Sequence, residues 1–99
     1  MQSYSKLDLV MWVKDGTRTL STVLDSINKA VPAEVVGQKL VVDDASTDLS
    51  VAIAQFFGWK VIPSEGVGIC DAANTALSRV ETDKFCSFDF VLFFYLSAI

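Results

Sequence analysis

An apolar run that stops at two adjacent carboxylates, Leu40-Val41-Val42-Asp43-Asp44-Ala45-Ser46-Thr47-Asp48, constrains this chain more than any other stretch. The branched side chains of Val41 and Val42 suit a half-buried pleated surface, so the run reads as a strand. Ser46 and Thr47 carry hydroxyls suited to capping the unpaired N–H groups of a helix that begins just after them. Asp43 and Asp44 then sit at the carboxyl end of a strand, at the mouth of a βα turn, where open α/β sheets hold their ligands. The plainer alternative makes them loop acids beside a helix N-terminus, where the helix dipole favours negative charge.

The rest of the chain alternates in the same way. Leu7 to Val13 is a first apolar strand, and Lys14-Asp15-Gly16 with Thr17-Arg18-Thr19 forms the turn after it. Leu20, Val23, Leu24, Ile27 and Val31 recur at helical spacing, and Pro32 ends that helix. After the Leu40–Val42 strand, Leu49, Ala52, Ile53, Phe56 and Phe57 form a second helical stripe, closed by Gly58. Trp59 to Ile62 is a third strand stopped by Pro63. Ile69, Ala73, Ala76, Leu77 and Val80 give a third helical stripe, and Phe85 to Phe88 is a fourth strand ending at Asp89. The order β-α-β-α-β-α-β is that of a Rossmann-like parallel sheet with crossover helices. The whole chain, 1–99, reads as a single domain.

Composition narrows the function. Hydrophobic residues make up 52% of the chain, enough for a core, and the net charge of −4 comes without a basic cluster, which argues against a nucleic-acid partner. Histidine is absent, so His-based triads and His-ligated metals are excluded. Cys70 and Cys86 read as packing residues, too few for a disulfide framework or a zinc site. No apolar stretch reaches the ~20 residues of a membrane-spanning helix and no secretory leader is visible, so the expected location is cytoplasmic. The dinucleotide fingerprint also fails. The first turn has one glycine, and Gly66-Val67-Gly68 has Asp71 where the third glycine belongs.

The segment Val41-Val42-Asp43-Asp44-Ala45-Ser46-Thr47-Asp48 closely resembles the strand-turn signature of family 2 glycosyltransferases of the GT-A fold. Lys14-Asp15 stands where that family has an aromatic-Asn pair, and Gly68 to Leu77, with Ala72, Asn74 and Thr75, resembles its glycine-to-Ala-Arg-Asn segment. Phe85 to Asp89 resembles the strand that ends in the D-x-D metal motif. The resemblance covers the nucleotide-sugar-binding half of a family domain. It implies that Asp43 and Asp44 contact the nucleoside of a UDP- or GDP-sugar, that Asp15 lies near the base, and that Asn74 belongs to the same site. It further implies that Asp89 holds a divalent metal, Mn2+ or Mg2+, which neutralises the diphosphate leaving group. An acceptor hydroxyl then attacks the anomeric carbon with help from a carboxylate base. Ala73 stands in place of the family's arginine and Val91 in place of the second metal aspartate. The acceptor half with its base follows the metal motif in this family, so the expectation is a truncated domain, weakly active or inactive alone.

Two other readings compete. In the receiver domains of signalling systems an acidic pair and a later phospho-accepting aspartate hold magnesium, roles open here to Asp43, Asp44 and Asp89. There, however, the pair belongs to the first strand. The third reading is a non-functional remnant. Its uncharged Phe90-Val91-Leu92-Phe93-Phe94-Tyr95-Leu96 run would make the C-terminal strand prone to self-association.

Overall fold

A computed structural model describes residues 6–88 of the chain. Asp89 and the Phe90–Leu96 run, and with them the metal ligand and the self-association expected from the sequence, lie outside the described residues. Four parallel strands form one sheet in the order β3-β2-β1-β4, where β1 is Leu7–Val13, β2 Val36–Asp43, β3 Lys60–Pro63 and β4 Lys84–Phe88. Helices α1 (Thr17–Ala30), α2 (Ser50–Phe56) and α3 (Ile69–Ser78) alternate with them. The Rossmann-like α/β class expected from the sequence is the one observed. Strand β2 begins four residues earlier than Leu40, because a 3-10 turn at Ala33–Val35 delivers the chain straight into pairing with β1.

The two-residue period of β1 splits the core into two layers. Leu9, Met11 and Val13 face α1 and α2 with Val41 of β2, packed on Leu20, Val23, Leu24, Ile27 and Ala54. Val10 faces the other way with Leu40 and Val42, packed on Ala72 and Ala76 of α3. Small alanines let α3 lie close against the sheet.

The α1 stripe is buried as its spacing predicts, whereas the other two stripes are buried only in part: Ile53 and Phe57 pack against the core on the α1 side, and Ala76 is buried with Val80 beside it on the other. In α2 the buried residues are Ser50 and Ala54, whereas Leu49 and Phe56 are 64% and 82% exposed. Ser50 is held inside by its hydroxyl, which donates to Asp48 and accepts from the Gly16 N–H. In α3 the buried residues are Ala72, Thr75 and Ala76, while Ile69 and Leu77 are exposed. Thr75 is held inside by its hydroxyl, which donates to the Asp71 carbonyl and accepts from the Glu65 N–H.

At the amino end of the sheet lies a buried carboxylate with no obvious sequence signal. Asp8 is 1% exposed. Its Oδ1 accepts the Gln38 N–H at 3.0 Å, and its Oδ2 accepts the Glu81 N–H at 2.7 Å and Gln38 Nε2 at 2.8 Å. Its own N–H donates to Thr82 Oγ1 at 2.9 Å. One side chain thus ties β1, β2 and the α3–β4 connection together. Burial alone would raise its pKa. The hydrogen bonds from Glu81, Gln38 and Thr82 outweigh that and hold the carboxyl below its ordinary value.

Asp8→Asn should destabilise the fold by about 3 kcal/mol, because an amide nitrogen would face donors and leave buried N–H groups unpaired. Since the folded-state pKa is depressed, the Asp8 contribution is present above the unfolded value near ~4 and is lost as pH falls through the folded value. Urea denaturation across pH 2–7 should therefore show a shallower acid limb in Asp8→Asn than in the parent. Equal slopes would contradict this role.

Candidate functional site

The parallel register of β1 with β2 pairs Val13 with Asp43, so both strands end side by side. The ladder continues one step further, with the Asp44 N–H donating to the Val13 carbonyl at 2.9 Å. On the other side the Ser64 N–H donates to the Asp43 carbonyl at 3.0 Å. The backbone carrying both acids is therefore fixed from two neighbouring strands. Ala45, at φ 55°, then turns the chain out of the sheet.

Each acid has its own surroundings. Asp43 is 9% exposed; its Oδ2 accepts the Ser46 N–H at 3.1 Å, whereas its Oδ1 is buried without a hydrogen-bond partner. Asp44 is 6% exposed and accepts the Gly68 N–H, at 3.2 Å on Oδ2 and 3.4 Å on Oδ1, which links the end of β2 to the start of α3. Asp15, in the β1–α1 turn at φ 49°, accepts the Thr47 N–H on Oδ1 at 2.8 Å, and its own N–H donates to Ser46 Oγ at 2.9 Å. Ser46 and Thr47 thus bind the neighbouring turn rather than cap α2, as the sequence suggested. That capping falls to Asp48, whose Oδ1 accepts the Ser50 N–H at 2.9 Å. The structure gathers Asp15, Asp43 and Asp44 around the single 45–48 loop.

Asn74 is placed elsewhere. It lies exposed in the middle of α3, with no side-chain hydrogen bond among the described residues, and lines a groove of about 320 Å³ with Glu65, Gly66, Asp71, Thr75 and Ser78. Sequence reasoning missed Asp48, Ser50 and Thr17, which lock the two turns together. Their signal was the Asp-x-Ser spacing of residues 48 and 50, a side-chain-to-backbone turn pattern.

Chemically the cluster is rich in acceptors. The two ion pairs among the described residues, Lys29–Asp25 and Arg79–Glu65, leave these acids without a cationic partner. Phosphate oxygens are acceptors too, so Asp43 is suited to N–H and O–H donors such as a nucleobase imide or ribose hydroxyls. The β3–α3 loop is no ready phosphate cradle, since its N–H groups are already committed. Glu65 donates to Thr75, Gly66 to Ser64, Val67 to Asp71 and Gly68 to Asp44. No group of three or more Asp, Glu, Cys or His among the described residues is arranged to hold a metal ion. No helix among them is long and apolar enough to cross a membrane.

A four-stranded parallel sheet with alternating helices, and acids gathered at the carboxyl ends of its two central strands, defines a Rossmann-like α/β domain. The chain belongs to glycosyl transferase family 2, whose model matches residues 17–94. Two solved structures share the fold. Glucosyl-3-phosphoglycerate synthase from Mycobacterium tuberculosis, in complex with Mn2+, uridine diphosphate and glucosyl-3-phosphoglycerate, superposes with a TM-score of 0.76 at 24% identity. Mannosyl-3-phosphoglycerate synthase from Rubrobacter xylanophilus superposes with a TM-score of 0.71, also at 24% identity. Each alignment covers 86% of this chain but only 33% and 30% of those proteins, so the chain spans about a third of their length. No curated protein matches the sequence. The family assignment leaves the receiver reading without support.

Gly68 sits at φ 94°, ψ 167°, a region essentially reserved for glycine, and a Cβ there would meet no neighbour within 4 Å. Gly68→Ala should therefore cost about 1–3 kcal/mol through backbone strain alone. Chemical denaturation measures it, and unchanged stability would contradict the left-handed geometry that delivers the Gly68 N–H to Asp44.

Proposed function

We propose that the carboxyl ends of β1 and β2 hold the nucleoside of a UDP- or GDP-sugar, as the donor half of a transferase that passes the sugar to an acceptor hydroxyl. The observation that carries this reading is the Asp43 Oδ1, a buried acceptor without a partner at the end of a central strand. An unpaired buried polar atom costs about 1–3 kcal/mol, a burden relieved when a ligand N–H or O–H supplies the missing bond. Asp44 and Asp15 flank it and supply further acceptors for the base and ribose. The bound uridine diphosphate of the mycobacterial structure accords with such a ligand.

The diphosphate needs compensation that this acidic cluster does not give. A divalent metal supplies it when bound, by neutralising charge on the leaving group. Asp89 is the acid proposed to hold that metal, and Asn74 is proposed as an outlying contact reached along α3. The acceptor, the transfer step and a cytoplasmic setting belong to the same proposal. So does self-association through the Phe90–Leu96 run.

Asp43→Asn separates binding from folding. The amide retains an oxygen for the Ser46 N–H but turns an N–H toward the ligand's donor. Stability should change by less than about 1 kcal/mol, while the Kd for UDP or GDP rises about 30- to 100-fold. Calorimetric titration of parent and variant decides it; unchanged affinity in a folded variant would refute the assignment.

A further inference from the structure

Asp48 carries no expected role in ligand contact, yet it joins the two turns that bear the site. Its Oδ1 accepts both the Ser50 N–H at 2.9 Å and the Ser50 hydroxyl at 2.6 Å, and its Oδ2 accepts the Thr17 N–H at 3.2 Å. Thr17 and Ser50 are the first residues of α1 and α2, so one carboxylate stands at the positive ends of both helices. Two more bonds close the joint. The Gly16 N–H donates to the buried Ser50 Oγ at 2.8 Å, and the Leu49 N–H donates to Thr17 Oγ1 at 3.1 Å.

The consequence falls on residues at a distance from Asp48 itself. Asp15 immediately precedes Gly16, and Asp43 is linked to the same loop through the Ser46 N–H. The gap between the Asp15 and Asp43 carboxylates therefore depends on how the β1–α1 turn docks on the 45–48 loop. Asp15 adds its own contacts with Ser46 and Thr47, but both involve the exposed part of the loop. The Ser50 hydroxyl, fully buried, is the inner anchor, and Asp48 orients it.

We propose that Asp48 is a positioning residue that sets the separation of Asp15 and Asp43, across which the nucleotide binds, by holding the first turns of α1 and α2 on one carboxylate. This rests on the nucleotide-site reading above. The carboxyl of Asp48 is also held well below the ordinary carboxylate range by the Ser50 and Thr17 hydrogen bonds.

The test compares Asp48→Ala and Asp48→Asn with Asp8→Asn, which perturbs the opposite end of the sheet, all below their melting midpoints. The readouts are UDP affinity and amide hydrogen exchange. Asp48→Ala should keep slow exchange in β1 and β2, lose protection at Gly16 and Thr17, and bind UDP about 10- to 100-fold more weakly. Asp48→Asn, with one acceptor oxygen restored, should recover part of the affinity, and Asp8→Asn should bind like the parent. Parent-like affinity in Asp48→Ala, or an equal loss in Asp8→Asn, overturns the proposal. If the parent itself binds no nucleotide, the site reading fails. The joint is then judged on exchange alone, and unchanged protection at Gly16 and Thr17 overturns it.

Discussion

Parallel pairing of β1 with β2 is the constraint on which the rest of this structure depends. It sets Val13 beside Asp43, so that a turn and a loop far apart in sequence leave the sheet at the same level. Everything at the site follows from that juxtaposition. Asp15 reaches the Thr47 N–H, Asp48 reaches Thr17, and Ser50 reaches Gly16, each across more than thirty positions of chain. A one-residue slip of register would turn Val41 and Asp43 to the opposite face and dissolve all of these contacts together.

The two ends of the sheet treat the same residue type in opposite ways. At the amino end Asp8 is fully buried, every oxygen is satisfied, and its effect is to fasten three segments. At the carboxyl end Asp43 is comparably buried, but one oxygen is left unpaired. The first arrangement lowers the energy of the fold. The second raises it locally, because the buried oxygen lacks the bond that would offset its desolvation. The contrast separates a fully satisfied acid from one with an open acceptor more sharply than burial alone.

Much of the fold was legible in the sequence because strands and helices alternate with clear apolar periods. Leu7–Val13 matches its expected bounds, and the α1 stripe is buried as its spacing implies. The faces of α2 and α3 were legible only in part: Ile53, Phe57 and Ala76 pack inward as expected, but polar anchors share the buried face. Ser50 and Thr75 are held inside by hydrogen bonds, whereas Leu49, Phe56, Ile69 and Leu77 are exposed. At the site, the acidic run announced Asp43 and Asp44. The work of Ser46 and Thr47 was misassigned and that of Asp48 missed, because a capping pattern is local whereas these residues bond across to another turn. Asp8 gave no signal at all, since its donors come from residues about thirty and seventy positions away.

The central claim is that a nucleotide is held where β1 and β2 end. Amide chemical shifts recorded during titration with UDP and GDP sugars, with and without Mg2+, test it most directly. Saturable shifts at Asp15, Asp43, Asp44 and Ser46, with the amino end of the sheet around Asp8 and Gln38 undisturbed, are the predicted result. A folded sample in which those residues stay silent, or in which shifts fall instead on the cavity lined by Asn28, Val36 and Lys39, would contradict it.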